Sequence, residues 1–265
     1  MILSEGGNVF KTADKQPATQ RIARNDVPTT VKWLEQVTGL SLMDAMVGST
    51  GQRETSGDID LAIDAAVVTK AAVLDVLVNW CRRQGIPDEQ IMNHKAKGKN
   101  PAFLDGWIDQ SGIEIHFRTP INGDPSRGFV QTDFNFLHKM SWSKFMLAAM
   151  PPDSEFKGVD RAILFNSIGK TMNVKVNVHT GAHDRTTNEL ITDDPAAFAR
   201  LILGNTGTVR DLASVESIVA CLRNDPRRDV KLHDFNEHLA RSGRRLPLGE
   251  SIAGSAWFKL YSGLL

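Results

Sequence analysis

The sequence predicts an α+β protein with a mixed or antiparallel sheet and a helical C-terminal region. Three observations carry this expectation. Apolar and polar residues alternate over 59–63, 112–118 and 129–137, the period of a strand with two unlike faces. A long stretch with a wide apolar stripe, 65–84, lies between the first of these and the other two. Beyond Trp142 the patterning is mostly helical.

In chain order, residues 1–25 are polar and without period and read as an arm. Asp26-Val27-Pro28 is a helix-start signal, with a capping side chain and a first-turn proline. Val31, Leu34 and Val37 then share one face, and Gly39 stops the helix. Residues 42–47 read as a short buried strand and 48–57 as a polar, glycine-containing loop. Ile59, Leu61 and Ile63 form the apolar face of the next strand. In 65–84 the predicted stripe is Val67, Val68, Ala71, Leu74, Leu77, Val78 and Cys81, ended by Gly85-Ile86-Pro87. A basic linker, 94–99, precedes the strands 112–118 and 129–137, which read as an antiparallel pair joined by a loop rich in Pro, Gly and Asp. Helices are expected over 142–150 and 159–170, and a strand over 173–179. A polar turn over 181–187, a helix from Asp194-Pro195 to Leu203, and helices near 209–223, 229–242 and 254–263 complete the reading. The organisation expected is a catalytic unit over 1–140, a second region over 141–204 and a helical region over 205–265.

Composition excludes several classes. Among 265 residues, 31 Lys and Arg balance 31 Asp and Glu, so no strongly basic coat exists for nucleic acid, although a local groove remains open. The two cysteines, Cys81 and Cys221, lack metal spacing and read as buried thiols in a reducing compartment. Apolar runs fall short of the ~18–20 residues a membrane span needs. The N-terminus lacks the basic start and apolar run of a signal peptide, so a cytoplasmic protein without membrane partners is expected. The histidines do not fall at zinc spacing, no Gly-x-Ser-x-Gly occurs, and Gly204–Gly207 is a loop, not a phosphate cradle. The scattered tryptophans read as core or interface.

The informative stretch runs from Val47 to Ile63. Asp58 and Asp60 lie two apart on a strand, so both carboxylates share a face while Ile59 and Leu61 enter the core. Paired carboxylates repel each other unless a cation lies between them. Hard oxygen ligands of this kind suit Mg²⁺, which completes its shell with water and substrate phosphates. Upstream, Gly48-Ser49 ends a strand, where a glycine lets backbone N–H groups approach a phosphate and a serine adds a donor. Arg53 adds positive charge. Two strands offer a third acid: Asp133, flanked by Gln131 and Asn135 on its face, and Glu114, which shares a face with His116.

Gly48-Ser49 followed about ten residues later by Asp58-Ile59-Asp60, with a helix and strand before and a long helix after, resembles the signature of the nucleotidyltransferase superfamily typified by DNA polymerase beta. The resemblance implies a palm over 1–140 and transfer of a nucleoside monophosphate from an NTP to a hydroxyl with release of pyrophosphate. It implies two Mg²⁺ ions (Mn²⁺ as a substitute) held by Asp58, Asp60 and Asp133, because the family's element order places an intervening strand, here 113–117, before the third carboxylate. Gly48, Ser49 and Arg53 would hold the phosphates. A thumb-like region over 141–204 would follow, with Arg161 and Lys157 placed to meet the nucleotide. The loop carrying Lys95, Lys97 and Lys99 would touch a phosphate backbone or the triphosphate. The acceptor stays open: a nucleic-acid end, a tRNA, a protein or a small molecule. A catalytically silent binding or assembly subunit, and a nucleotidyltransferase toxin, are the alternatives.

Overall fold

A computed structural model describes residues 9–12, 16–93 and 106–241. The chain divides into two compact units, Met1–Met140 and Ser141–Leu265.

The first unit is α+β. It opens with β1 (Ile22–Ala23) and α1 (Val27–Thr38), followed by β2 (Met46–Val47), β3 (Thr55–Ser56) and β4 (Asp58–Asp64). Next come α2 (Lys70–Arg83), a short α3 (Asp88–Ile91), β5 (Ile108–Ser111), β6 (Glu114–Pro120) and β7 (Phe129–Leu137). A five-stranded mixed sheet has the order β2-β4-β7-β6-β5, and β1 pairs with β3 separately. β4 and β7 are parallel, and the other pairs of the five-stranded sheet are antiparallel. Parallel neighbours need a long crossover, and α2 through β6 supplies it. The antiparallel pairing expected for 112–118 and 129–137 is present between β6 and β7.

One face of this sheet is apolar. Ile59 and Leu61 of β4, Phe134 of β7, and Ile115 and Phe117 of β6 are fully buried with Val31 and Leu34 of α1 and Leu77 of α2. Each such side chain contributes about 1.5–3 kcal/mol of burial. Trp80 packs edge-on to Trp33 and to Phe117, so tryptophans far apart in sequence form one cluster. Among the described residues, no helix is long and apolar enough to cross a membrane.

Several local expectations are corrected. Asp26 does not cap α1 with its side chain; Oδ1 instead accepts from Asn122 Nδ2 at 2.8 Å and Arg127 Nη2 at 2.9 Å, tying the helix start to the β6–β7 connection. Only Met46–Val47 of 42–47 is a strand, because Glu35 Oε1 accepts from the amides of Leu42 and Met43 and folds that stretch into a helical turn. The helix after β4 starts at Lys70, capped by Thr69, because Asp64 first closes a turn; Val67 is 82% exposed rather than part of the stripe. β5 is an added strand with a single fully buried aliphatic residue, Ile108.

The second unit contains α4 (Met140–Leu147, whose first residue closes the first unit), α5 (Gly158–Lys170) and the antiparallel strands β8 (Val174–Asn177), β9 (Gly181–Asp184) and β10 (Leu190–Thr192). α6 (Pro195–Leu203), α7 (Val215–Cys221) and α8 (Arg228–Arg241) follow. Residues 181–184 are thus a strand and not a turn: Ala182 is fully buried opposite Val176, and the turn comes afterwards, where Asp184 Oδ1 accepts from the amides of Thr186 and Thr187. One hydrophobic cluster takes in Trp142, Phe165 and Phe198 together with Leu212, Ile218 and Phe235, so 141–204 and the described part of 205–265 share a core. Cys81 is buried as expected, whereas Cys221 is exposed. The predicted helix 254–263 lies outside the described residues.

Candidate metal and phosphate site

The sheet's second face is polar, and its register sets the site. Asp60 of β4 lies directly beside Asp133 of β7, which lies beside His116 of β6, which lies beside Asp109 of β5. Asp58, Gln131 and Arg118 form the adjacent row on the same face. Asp58, Asp60 and Asp133 offer carboxylate oxygens that all lie within 4.8 Å of one another. Glu114 stands opposite Asn135 on β6, one strand further out than Asp133.

The Asp60 main chain and the Asp133 carboxylate are each held by neighbouring side chains. β2 flanks β4 with Val47 opposite Asp60, and the buried Thr50 Oγ1 accepts from the Asp60 amide at 2.9 Å. The turn is fastened by Ser56, whose hydroxyl donates to Ser49 O and accepts from the Gly51 amide. Asp133 Oδ1 accepts from Gln131 Nε2 at 2.9 Å and contacts His116 Nδ1 at 2.7 Å; its Oδ2 accepts from Gln131 at 3.1 Å. His116 Nε2 in turn lies 3.5 Å from Glu114 Oε2.

The electrostatics are those of crowded like charges. Burial first, and then the Asp133 charge, push Asp58 up to about 6, while Arg21 pulls in the opposite direction. Burial followed by the charges of Asp58, Asp133 and Glu114 push Asp60 well above the carboxylate range. Glu114 is raised, chiefly by burial. Burial lowers His116, but its bond to Asp133 and the charges of Asp133, Glu114 and Asp109 outweigh this and lift it. Three converging, partly desolvated hard oxygen donors of the same sign fit a divalent cation of the Mg²⁺ kind.

A stability result follows. Asp58 and Asp60 have folded values above their unfolded ones, so from about pH 4 upward the unfolded chain ionises first and stability falls as pH rises, for Asp58 until about pH 6. Above that window the Asp58 penalty is constant at roughly 1–3 kcal/mol. Asp60→Asn is therefore expected to raise the melting temperature in EDTA at pH 7.5 and to leave it unchanged at pH 4. Mg²⁺ should raise the melting temperature of the wild type and not of Asp60→Asn. A lower melting temperature for Asp60→Asn at pH 7.5 in EDTA contradicts this account.

The residues expected to hold phosphate divide. Gly48 lies at φ +63, and a Cβ built there would sit 2.6 Å from Asp60 Oδ2, so the turn is packed against a carboxylate of the cluster. Ser49 and Arg53 are exposed in the same turn. Arg161 is corrected: it is fully buried in the second unit, where Nη1 donates to Ala213 O and Nη2 to the carbonyls of Phe145, Met146 and Ala148. A guanidinium bonded to four carbonyls is a structural brace, and its full burial closes it to a nucleotide. Burial lowers it to about 10. Lys157 is exposed at the start of α5, and Lys95, Lys97 and Lys99 lie outside the described residues.

Sequence reasoning missed Thr50, Gln131 and His116 as supports and Arg21 as a charge beside Asp58. The phase of β7 and β6 signals Gln131 and His116; nothing in the polar lead-in signals Arg21. No family model matches the chain, and no curated protein matches its sequence.

Proposed function

We propose that the protein is a metal-dependent nucleotidyltransferase with a DNA polymerase beta-like palm in its first unit. The observation that carries this reading is the convergence of Asp58, Asp60 and Asp133 within 4.8 Å, with the Gly48-Ser49 turn packed against one of them. In the reaction, an acceptor hydroxyl oxygen bonds to the α-phosphorus of an NTP, the bond to the β-phosphate bridge breaks, and pyrophosphate leaves. The hydroxyl proton is lost to solvent. When bound, Mg²⁺ would neutralise the triphosphate and lower the pKa of the acceptor hydroxyl. Asp58, Asp60 and Asp133 would bind it. Thr50 fixes the Asp60 backbone, while Gln131 and His116 hold the orientation of Asp133. Ser49 would meet the phosphates, with Arg53 at the rim; the Gly51 and Gln52 amides are bonded within the turn. The acceptor is a hydroxyl of a nucleic-acid end, a protein or a small molecule.

The test incubates the protein with each α-labelled NTP, Mg²⁺ or Mn²⁺, and total cellular nucleic acid and protein. Label is expected in one acceptor class, with equimolar pyrophosphate. No label with any NTP and either ion overturns the reading.

A further inference from the structure

The charge beside Asp58 that the sequence does not announce leads furthest. Arg21 immediately precedes β1 and is held by its backbone neighbours and by its side chain. The Gln20 amide donates to Phe129 O at 2.8 Å, Gln20 Nε2 donates to Arg127 O at 3.0 Å, and Ile22 is fully buried opposite Ser56. The guanidinium is fixed to β3: Nε donates to Thr55 Oγ1 and Nη2 to Thr55 O, both at 2.9 Å. Two of five N–H donors are thereby used, and a planar fork fixed at two points holds the other three in a set direction. Among the described residues Nη1 makes no hydrogen bond and Arg21 forms no ion pair, although the residue is exposed.

Gly57 shows where that free edge lies. Its φ is not in the left-handed region, so its backbone does not require glycine. A Cβ there would instead meet Arg21 Nη1 at 3.3 Å. Gly57 immediately precedes Asp58, so Nη1 reaches the chain one residue from the first carboxylate of the cluster. Its charge is felt at Asp58 without closing an ion pair. A preorganised cation left unneutralised beside an acidic cluster suits a ligand that brings anionic oxygens there, and bidentate recognition of phosphate is what a guanidinium edge does best.

We propose that Arg21 is a substrate-binding residue that holds a phosphate group of a polyphosphate substrate at the Asp58–Asp60–Asp133 site. The proposal rests on the nucleotidyltransferase reading for the identity of that substrate. It differs from Ser49 and Arg53 in supplying a braced charge from the N-terminal segment rather than from the turn.

The test compares the full-length wild type with Arg21→Ala and Arg21→Lys in two measurements. Calorimetry with Mg²⁺ reads the affinity for ATP, GTP, CTP and UTP in turn and for pyrophosphate. Electron paramagnetic resonance reads Mn²⁺ affinity without nucleotide. Arg21→Ala is expected to weaken the preferred nucleotide and pyrophosphate by about tenfold or more. Arg21→Lys, which keeps charge without the fork, is expected to lie between. Mn²⁺ affinity should hold or tighten, because a repelling charge has been removed. A merely structural Arg21 would weaken Mn²⁺ and nucleotide together, and that result overturns the proposal, as does an unchanged nucleotide affinity in Arg21→Ala. Arg21-dependent binding of pyrophosphate with no binding of any NTP supports the phosphate role and removes the nucleotidyltransferase reading. NTP binding indifferent to Arg21 does the reverse, and no binding of either ligand by the wild type ends both.

Discussion

Asp133→Asn is expected to lower kcat/KM for the proposed nucleotidyl transfer by about three orders of magnitude or more, and Asp58→Asn and Asp60→Asn by as much. An amide nitrogen cannot replace a carboxylate oxygen against water on a hard cation. Glu114→Gln is expected to cost less than about tenfold. The difference comes from the sheet. Strands lie about 4.8 Å apart, so only a direct neighbour of β4 can bring a carboxylate to Asp58 and Asp60. Of its two neighbours, β2 (Met46–Val47) carries no acid, and parallel pairing in phase with β7 sets Asp133 beside Asp60. Glu114, on β6, is one strand further out and has His116 between it and Asp133. Steady-state kinetics with folding checked by circular dichroism decides the matter. Full activity in Asp133→Asn with loss in Glu114→Gln would hand the third ligand to Glu114.

The parts of this site that were legible in the sequence are those written in short-range period. Asp58 and Asp60 announce themselves because the residues between and after them are apolar, and the alternation of 129–137 places Gln131, Asp133 and Asn135 on one face. The choice of Asp133 over Glu114 was open to the alternation and was favoured only by the element order of the family that the motif resembles. The pairing of β4 with β7 agrees with that strand order. What could not be read depends on contacts far along the chain. Arg161 looks like any basic helix residue until the carbonyls of Phe145, Met146, Ala148 and Ala213 surround it. Asp26 has the type of a cap, but Asn122 and Arg127, about a hundred residues later, compete for its oxygen. Arg21 lies in a segment with no period at all. Local pattern specifies faces; it does not say which distant donor meets which acceptor.

Gly48 gives the second large effect, and the reason is sharper than room for a phosphate. At φ +63 a side chain costs about 1 kcal/mol of backbone strain. The larger cost is contact: a Cβ would lie 2.6 Å from Asp60 Oδ2, so even Gly48→Ala must displace a carboxylate of the cluster. The Asp60 main chain cannot follow, because the Thr50 hydroxyl and the β4–β7 ladder hold it. Gly48→Ala is therefore expected to lose about a hundredfold in activity, and Gly48→Val more. Both should also bind Mn²⁺ more weakly in the absence of any nucleotide. If the glycine served only the approach of a phosphate, Mn²⁺ affinity would be untouched while nucleotide affinity fell, and that outcome would refute the carboxylate-contact account. A double-mutant cycle separates strain from contact. In an Asp60→Ala background the oxygen is gone, so Gly48→Ala should retain only the backbone cost of about 1 kcal/mol in unfolding free energy. In the wild-type background it should cost measurably more, and equal costs in the two backgrounds would mean that the contact with Asp60 carries no energy.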